Sequence, residues 1–161
     1  MSLKRLHCSE DDLANSLELT KWAIDFSWDE ICTISRHMEF YTATKGTVIF
    51  DEGSKDNTMA LVIKGTIDII KKESGSKINV IASIFPSQSF GEMSLIDGEA
   101  RSAQAVASSE VEMLFLSKQK LLSLQKENPD IAFRLLWIIT RMLSQRLRRT
   151  SGNLVAQLNK I

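Results

Sequence analysis

Two cysteines and two histidines are all that this 161-residue chain offers of the side chains that staple small domains or hold metals. Cys8 and Cys32 lie far apart, with no histidine at ligand spacing. That fits a reduced cytoplasmic protein better than a disulfide framework or a zinc site. His7 and His37 both fall outside the segments that read as strands, which argues against a metal-dependent β-barrel enzyme, since that needs several histidines and a carboxylate. His37 reads instead as a polar residue closing a helix, where its charged form favours the dipole. No stretch reaches the ~18 unbroken apolar residues of a membrane span. The acidic residues after Arg5 argue against a signal peptide. Net charge is lacking too: 20 basic residues balance 20 acidic ones. No overall field therefore draws the chain to nucleic acid or anionic lipid.

The balance conceals two unlike ends. Residues 1–40 are net acidic, and residues 129–161, with Arg134, Arg141, Arg146, Arg148 and Arg149, are net basic. The ends are expected to attract each other, within one chain or between two. The arginine run has no aromatic stacking platform beside it, since Trp137 belongs to the apolar half of its helix, so it reads as a solvated face and not as a nucleic-acid surface.

The length suits one domain, 1–161, in three stretches. Residues 10–38 predict two helices, the second opened by a Ser27–Glu30 capping box. Between residues 40 and 117 the pattern changes to short strands, expected at Val48–Phe50, Ala60–Ile63, Thr66–Ile70, Ile78–Ile84, Ala103–Ala107 and Val111–Leu116. Gly46, Gly53, Gly65 and Gly75 punctuate them. Residues 118–161 return to helix, a short one over Lys118–Glu127 and a long one from Pro129. In the long helix Leu136, Leu143 and Thr150 recur every seven residues. Thr140, Leu147, Leu154 and Ile161 form a second series, and the two interleave like a coiled-coil seam. Ile131, Leu135, Ile138, Ile139 and Met142 broaden the apolar surface of its first half, which should also pack on the strands. The expected class is α+β, an antiparallel β-barrel or jelly roll (a double-stranded β-helix) with N-terminal helices and a long C-terminal helix.

The run Phe90-Gly91-Glu92-Met93-Ser94-Leu95-Ile96-Asp97-Gly98-Glu99-Ala100-Arg101 holds the chemistry. A short helix offers backbone N–H groups to an anion. Arg101 adds a planar fork of donors that fits a phosphate, and Glu92 is an acceptor for a sugar hydroxyl. Together they read as a pocket for a small phosphorylated ligand that carries a ribose.

Three landmarks in order give this segment a context. Phe40-Tyr41 through Gly53 resembles the first hairpin of the cyclic nucleotide-binding domains of bacterial catabolite-activator type. Leu61 to Ile67 resembles their Ile-x-x-Gly turn, and Phe90 to Ala103 resembles their phosphate-binding cassette. The resemblance implies a non-enzymatic domain that needs no cofactor and takes cyclic AMP or cyclic GMP as ligand, cyclic AMP being favoured. It implies that Glu92 accepts the ribose 2′-hydroxyl and Arg101 pairs with the cyclic phosphate. Gly91 would allow close approach, Ser102 would add a donor, and Phe90, Met93, Ser94 and Ala103 complete the set. Candidate base contacts are Arg146, Thr150 and Ser151. Three positions depart from the family pattern: Ser87 replaces a turn glycine, Ala100 precedes the arginine where proline is common, and Gln104 stands where a small residue is usual and is expected near the ligand.

The implied function is a stand-alone sensor, without the DNA-binding domain of its transcriptional relatives. It would form a homodimer through residues 129–161 and signal through the long helix to a partner protein. Two alternatives stay open. Glu92 and Arg101 could pair with each other as a purely structural bridge, and the chain could be a ligand-free domain of the same fold that works in dimerisation or protein interaction.

Overall fold

The computed structural model describes residues 2–72 and 78–158. Gly75 and Ile161, named above as a turn and a seam residue, lie outside them. Helix α1 (Glu10–Glu18) starts at Ser9, whose hydroxyl accepts from the Asp12 N–H while the Asp12 carboxylate accepts from the Ser9 N–H. A 3-10 turn over Lys21–Asp25 leads to α2 (Trp28–Ser35), where the Ser27–Glu30 box forms as expected. Each box satisfies donors that a helix start leaves unpaired.

Among the described residues, nine strands follow the order β1 (Leu3–Leu6), β2 (Glu39–Ala43), β3 (Val48–Phe50), β4 (Thr58–Lys64), β5 (Ile67–Lys72), β6 (Ile78–Ile84), β7 (Ser89–Phe90), β8 (Gln104–Ala107) and β9 (Val111–Ser117). Helix α3 (Glu92–Asp97) separates β7 from β8, and α4 (Lys118–Glu127) and α5 (Pro129–Leu158) follow β9. The strands form two antiparallel sheets, β1-β2-β9-β4-β7 and β3-β8-β5-β6. The architecture is the expected jelly roll, but the sheets do not close into a barrel. The chain crosses from one sheet to the other at the positive-φ glycines Gly46, Gly53 and Gly65, so covalent turns join the layers at these corners. At Gly65 a Cβ would stand 2.1 Å from the Glu110 carbonyl oxygen, so only glycine fits this corner.

Strand alternation builds two cores at once. In β4, Met59 and Leu61 face the helices while Ala60 and Val62 face the other sheet. In β9, Leu114 and Leu116 face the helices and Met113 and Phe115 the sheet. With both faces covered, these central strands read as nearly unbroken apolar runs. Helix α5 closes the outer core with Ile131, Leu135, Ile138 and Ile139, as its apolar first half predicted. Each such side chain contributes about 1.5–3 kcal/mol by leaving water.

The unlike ends meet within the chain. Arg134 donates to the Glu30 carboxylate and to the Asp25 carbonyl, and Arg141 pairs with Asp25 at 3.3 Å. Exposed pairs of this kind contribute about 0–1 kcal/mol each. They fix where α5 lies more than how stable it is.

The seam on α5 differs from its sequence reading. Leu143 packs against the outer core and Thr150 lines a cavity, so of their series only Leu136 stays exposed. Thr140, Leu147 and Leu154 do face outward, alongside the stacked pair Phe133 and Trp137. Trp137, assigned above to the apolar half, is 62% exposed. The reason is helical geometry: Ile138 and Ile139 take the inward face, which turns their neighbour outward. No helix among the described residues is long and apolar enough to cross a membrane.

Candidate functional site

Backbone turns bring the site together before any side chain does. The turn Phe85-Pro86-Ser87-Gln88 closes with a Gln88 N–H to Phe85 carbonyl bond of 3.0 Å. It then pairs with β4 through Ser87 N–H to the Val62 carbonyl and Val62 N–H to the Gln88 carbonyl. That sets β7 against β4, with Ala60 opposite Phe90. Gly91 follows at φ 81°, and α3 begins. At the far end of the cassette the Arg101 N–H donates to the Ser54 carbonyl, and the Gly53 N–H donates to the Arg101 carbonyl. The cassette is thus laced to the β3–β4 loop.

Arg101 is 5% exposed, and its guanidinium bonds to several groups of its own chain. Its Nε and Nη2 donate to the two oxygens of Asp56, Nη2 also to the Thr58 carbonyl and hydroxyl, and Nη1 to the Gly91 carbonyl at 2.7 Å. The guanidinium lies over the Phe50 ring, 3.7 Å from its centroid. Gly91 makes room for it, since a Cβ there would come within 2.6 Å of Arg101 Nη1 and 2.9 Å of the Phe50 ring. Glycine at 91 therefore accommodates the arginine itself, besides the positive φ.

Glu92 is 3% exposed, and a buried carboxylate costs several kcal/mol unless it is paired. Its partner is not Arg101. Arg146 of α5 reaches across, donating from Nη1 to the Glu92 carboxylate and from Nη2 to the Ser89 carbonyl. The structural Glu92–Arg101 bridge considered from the sequence is thereby corrected: each charge has a different partner, brought from a distant element.

Both charges line one cavity of about 520 Å³. Phe90, Gly91, Met93, Ser94, Ser102 and Ala103 line it as expected, with Ile81 to Phe85 of the β6 end forming an apolar stretch of wall. From α5 come Arg146, Arg149, Thr150 and Asn153. Ser151, the third candidate base contact, is exposed and is not part of the lining. One position around the helix turns it from the cavity. Gln104 is also misplaced by the sequence reading, because its side chain donates to Asp51 at 2.9 Å and does not line the cavity. Lys71 clamps the cassette from β5, donating to the Ser102 carbonyl at 2.7 Å.

Sequence reasoning missed Asp56, Thr58, Phe50, Arg149 and Asn153. Asp56 and Thr58 lie more than 40 positions from Arg101, and only Gly53 marked the segment before them as a turn. Arg149 and Asn153 stand one helical turn apart on α5, a spacing visible in the sequence once a cavity is known to lie there.

Comparison with known proteins places this geometry. Residues 42–128, more than half of the chain, match the cyclic nucleotide-binding domain family. The CRP-like cAMP-activated global transcriptional regulator of Mycobacterium tuberculosis is 28% identical over 124 residues, 77% of this chain and 54% of that protein. The cyclic AMP receptor protein of Thermus thermophilus is 33% identical over 101 residues, 63% of this chain and 47% of that protein. The chain thus spans about half the length of the curated relatives it matches. Among solved structures, a cyclic nucleotide-binding domain from Methylobacillus flagellatus superposes with a TM-score of 0.85 at 27% identity, covering 96% of this chain and 89% of that one. Fold, cassette and sequence agree: the chain belongs to the cyclic nucleotide-binding domain family.

Proposed function

We propose that this domain is a non-enzymatic sensor of a cyclic nucleotide, cyclic AMP in preference to cyclic GMP, and that it acts in the cytoplasm. The observation that carries the reading is that Glu92 and Arg101 line the same cavity, which α5 walls with Arg146, Arg149, Thr150 and Asn153. A cyclic phosphodiester brings one negative charge to Arg101, the ribose 2′-hydroxyl donates to Glu92, and the base lies toward α5. The resemblance to regulators named for cyclic AMP supports the choice of base.

Arg146 supplies the route to an output. It joins α5 to the carboxylate that a ribose would use, so a ligand on Glu92 alters what holds the helix. Binding shifts the helix only by its differential affinity for two helix positions. The altered face of α5 is then offered to a second copy through residues 129–161 and to a partner protein.

The ligand-free alternative has one observation in its favour, the pairing of both cassette charges within the chain. Calorimetric titration with cyclic AMP and cyclic GMP, with 5′-AMP as control, separates the two. Saturable micromolar binding is expected, and Arg101→Ala should cost about 2–4 kcal/mol of it, the worth of a truncated buried charged partner. Glu92→Ala should weaken cyclic AMP more than its 2′-deoxy analogue. Equal losses for the two would remove Glu92 from the ribose. Absence of heat and of any thermal shift with every nucleotide would leave the ligand-free module as the better account.

A further inference from the structure

We infer that Lys71 is a positioning residue for the ligand phosphate: from outside the cavity it fixes Ser102, so that the serine hydroxyl stays aimed at the anion that Arg101 attracts. The inference rests on the sensor reading for its ligand and deepens it by a residue that touches no ligand.

The ladder between β5 and β8 ends where Ile70 stands opposite Gln104. Ser102 and Ala103, which line the cavity, lie beyond that last pair and belong to no strand. Lys71 is the next residue along β5, and its ammonium takes over where the ladder stops, donating to the Ser102 carbonyl at 2.7 Å. The same ammonium pairs with Glu52 at 3.2 Å. Glu52 precedes Gly53, whose N–H donates to the Arg101 carbonyl at 2.8 Å. Lys71 thus closes a circle of contacts that runs from β5 through the β3–β4 loop to the two residues expected on the phosphate.

The point of attachment sets the role. A carbonyl only accepts, so it is the one polar group of Ser102 that cannot serve an anion. Holding the residue there leaves its hydroxyl for the cavity that Ser102 lines. A charged donor makes this a stronger tether than a neutral one would. Lys71 itself is not part of the cavity lining, and its side chain is 50% exposed. Water therefore screens its direct pull on a phosphate, and the ammonium acts through the serine it holds. Without the tether, phosphate affinity falls by the fraction of molecules in which the hydroxyl faces elsewhere.

The test is calorimetric titration with cyclic AMP of the parent protein, Lys71→Met, Ser102→Ala and the double variant. Lys71→Met should bind about fivefold more weakly, the worth of one hydrogen bond. Lys71→Arg, which restores a charged donor, should regain most of that loss. In the Ser102→Ala background, Lys71→Met should cost less than about twofold, because the group that it positions is gone. Losses that simply multiply in the double variant overturn the inference and leave Lys71 a structural role only. Lys71→Gln takes the place of Lys71→Met should that variant not fold, and must show the same sign. A second arm needs no nucleotide: inorganic phosphate against chloride at matched ionic strength, read as melting temperature. Phosphate should stabilise the parent protein more than Lys71→Met, and the difference should vanish in the Ser102→Ala background. If no protein binds a cyclic nucleotide but this pattern appears, the sensor reading fails and the role of Lys71 stands. If cyclic AMP binds the parent protein and Lys71→Met alike, the role of Lys71 fails and the sensor reading stands. With neither nucleotide binding nor a phosphate difference, both fall.

Discussion

Glu30 shows how one side chain serves a helix start and a tertiary contact together. Its carboxylate accepts from the Ser27 N–H at the α2 cap and from the Arg134 guanidinium on α5. The Arg134 hydrogen bond first, and then the Ser27 backbone, hold its pKa below the ordinary glutamate value. Glu127, bonded by His37 and then Ser123, and Asp12, bonded by Ser9, are lowered likewise. A depressed folded value means that the unfolded chain binds the proton more readily. The stabilisation is therefore complete above the unfolded value of about 4 and is lost as pH falls through the lower folded values. The melting temperature should hold near neutrality and decline below about pH 4. Glu30→Gln should begin lower and decline less, since it has one titrating contact fewer. Parallel curves from pH 7 to pH 3 for the two proteins would show that Glu30 contributes nothing to acid unfolding. Ser87 makes a different point at the same scale. It occupies the third position of the turn after Pro86 with φ 68°, a conformation that suits glycine. The departure from the family pattern noted in the sequence, serine for a turn glycine, is a strained residue. Ser87→Gly should raise stability by about 1 kcal/mol, the left-handed cost less the added freedom of the unfolded chain, measured by urea unfolding. A loss of stability would mean that the hydroxyl serves the turn.

The turn that Ser87 closes belongs to an element legible in part from the sequence. Local signals carried far: β3, β6 and α4 fall at their expected bounds, because apolar alternation and glycine punctuation are properties of neighbouring residues. Strands β1 and β7 carry no such signal. Leu3-Lys4-Arg5-Leu6 is a strand because β2 offers an open edge, with Leu3 opposite Ala43, and Ser89-Phe90 is one because β4 does. In the cassette the same division holds. Glu92 and Arg101 stood out by their spacing, whereas their partners Arg146 and Asp56 are set by how α5 and the β3–β4 loop fold back across 54 and 45 positions. A pairing of that range leaves no periodicity to read. Of the candidate base contacts, Arg146 and Thr150 stand one helical turn apart. Both line the cavity from successive turns of α5, the first on the carboxylate and the second beside Arg149.

At the scale of the molecule, α5 has more apolar surface than its own domain covers. Its 30 residues extend about 45 Å at 1.5 Å per residue. The outer core takes Ile131, Leu135, Ile138 and Ile139, and the cavity takes Arg146, Thr150 and Asn153. The face that remains carries Phe133, Trp137, Thr140, Leu147 and Leu154, with the four apolar ones 56–68% exposed. Phe133, Thr140, Leu147 and Leu154 repeat at seven, and Trp137, Ser144 and Ser151 interleave at four and three, the spacing of a helix that packs along another. Ser151, absent from the cavity, finds its place on this face. A second copy of α5 is the occupant that the proposed homodimer supplies, and it would bring the dimer contact onto the same helix that Arg146 ties to Glu92. Leu147→Asp with Leu154→Asp should convert a dimer to a monomer by sedimentation across a wide concentration range. Because both leucines are exposed, the fold should lose no more than about 0.5 kcal/mol per site. Each monomer contains its own Glu92, Arg101 and Arg146, so cyclic nucleotide binding should persist, with any cooperativity between sites removed. A parent protein that sediments as a monomer at every concentration would sink the dimer and leave this face to a different partner.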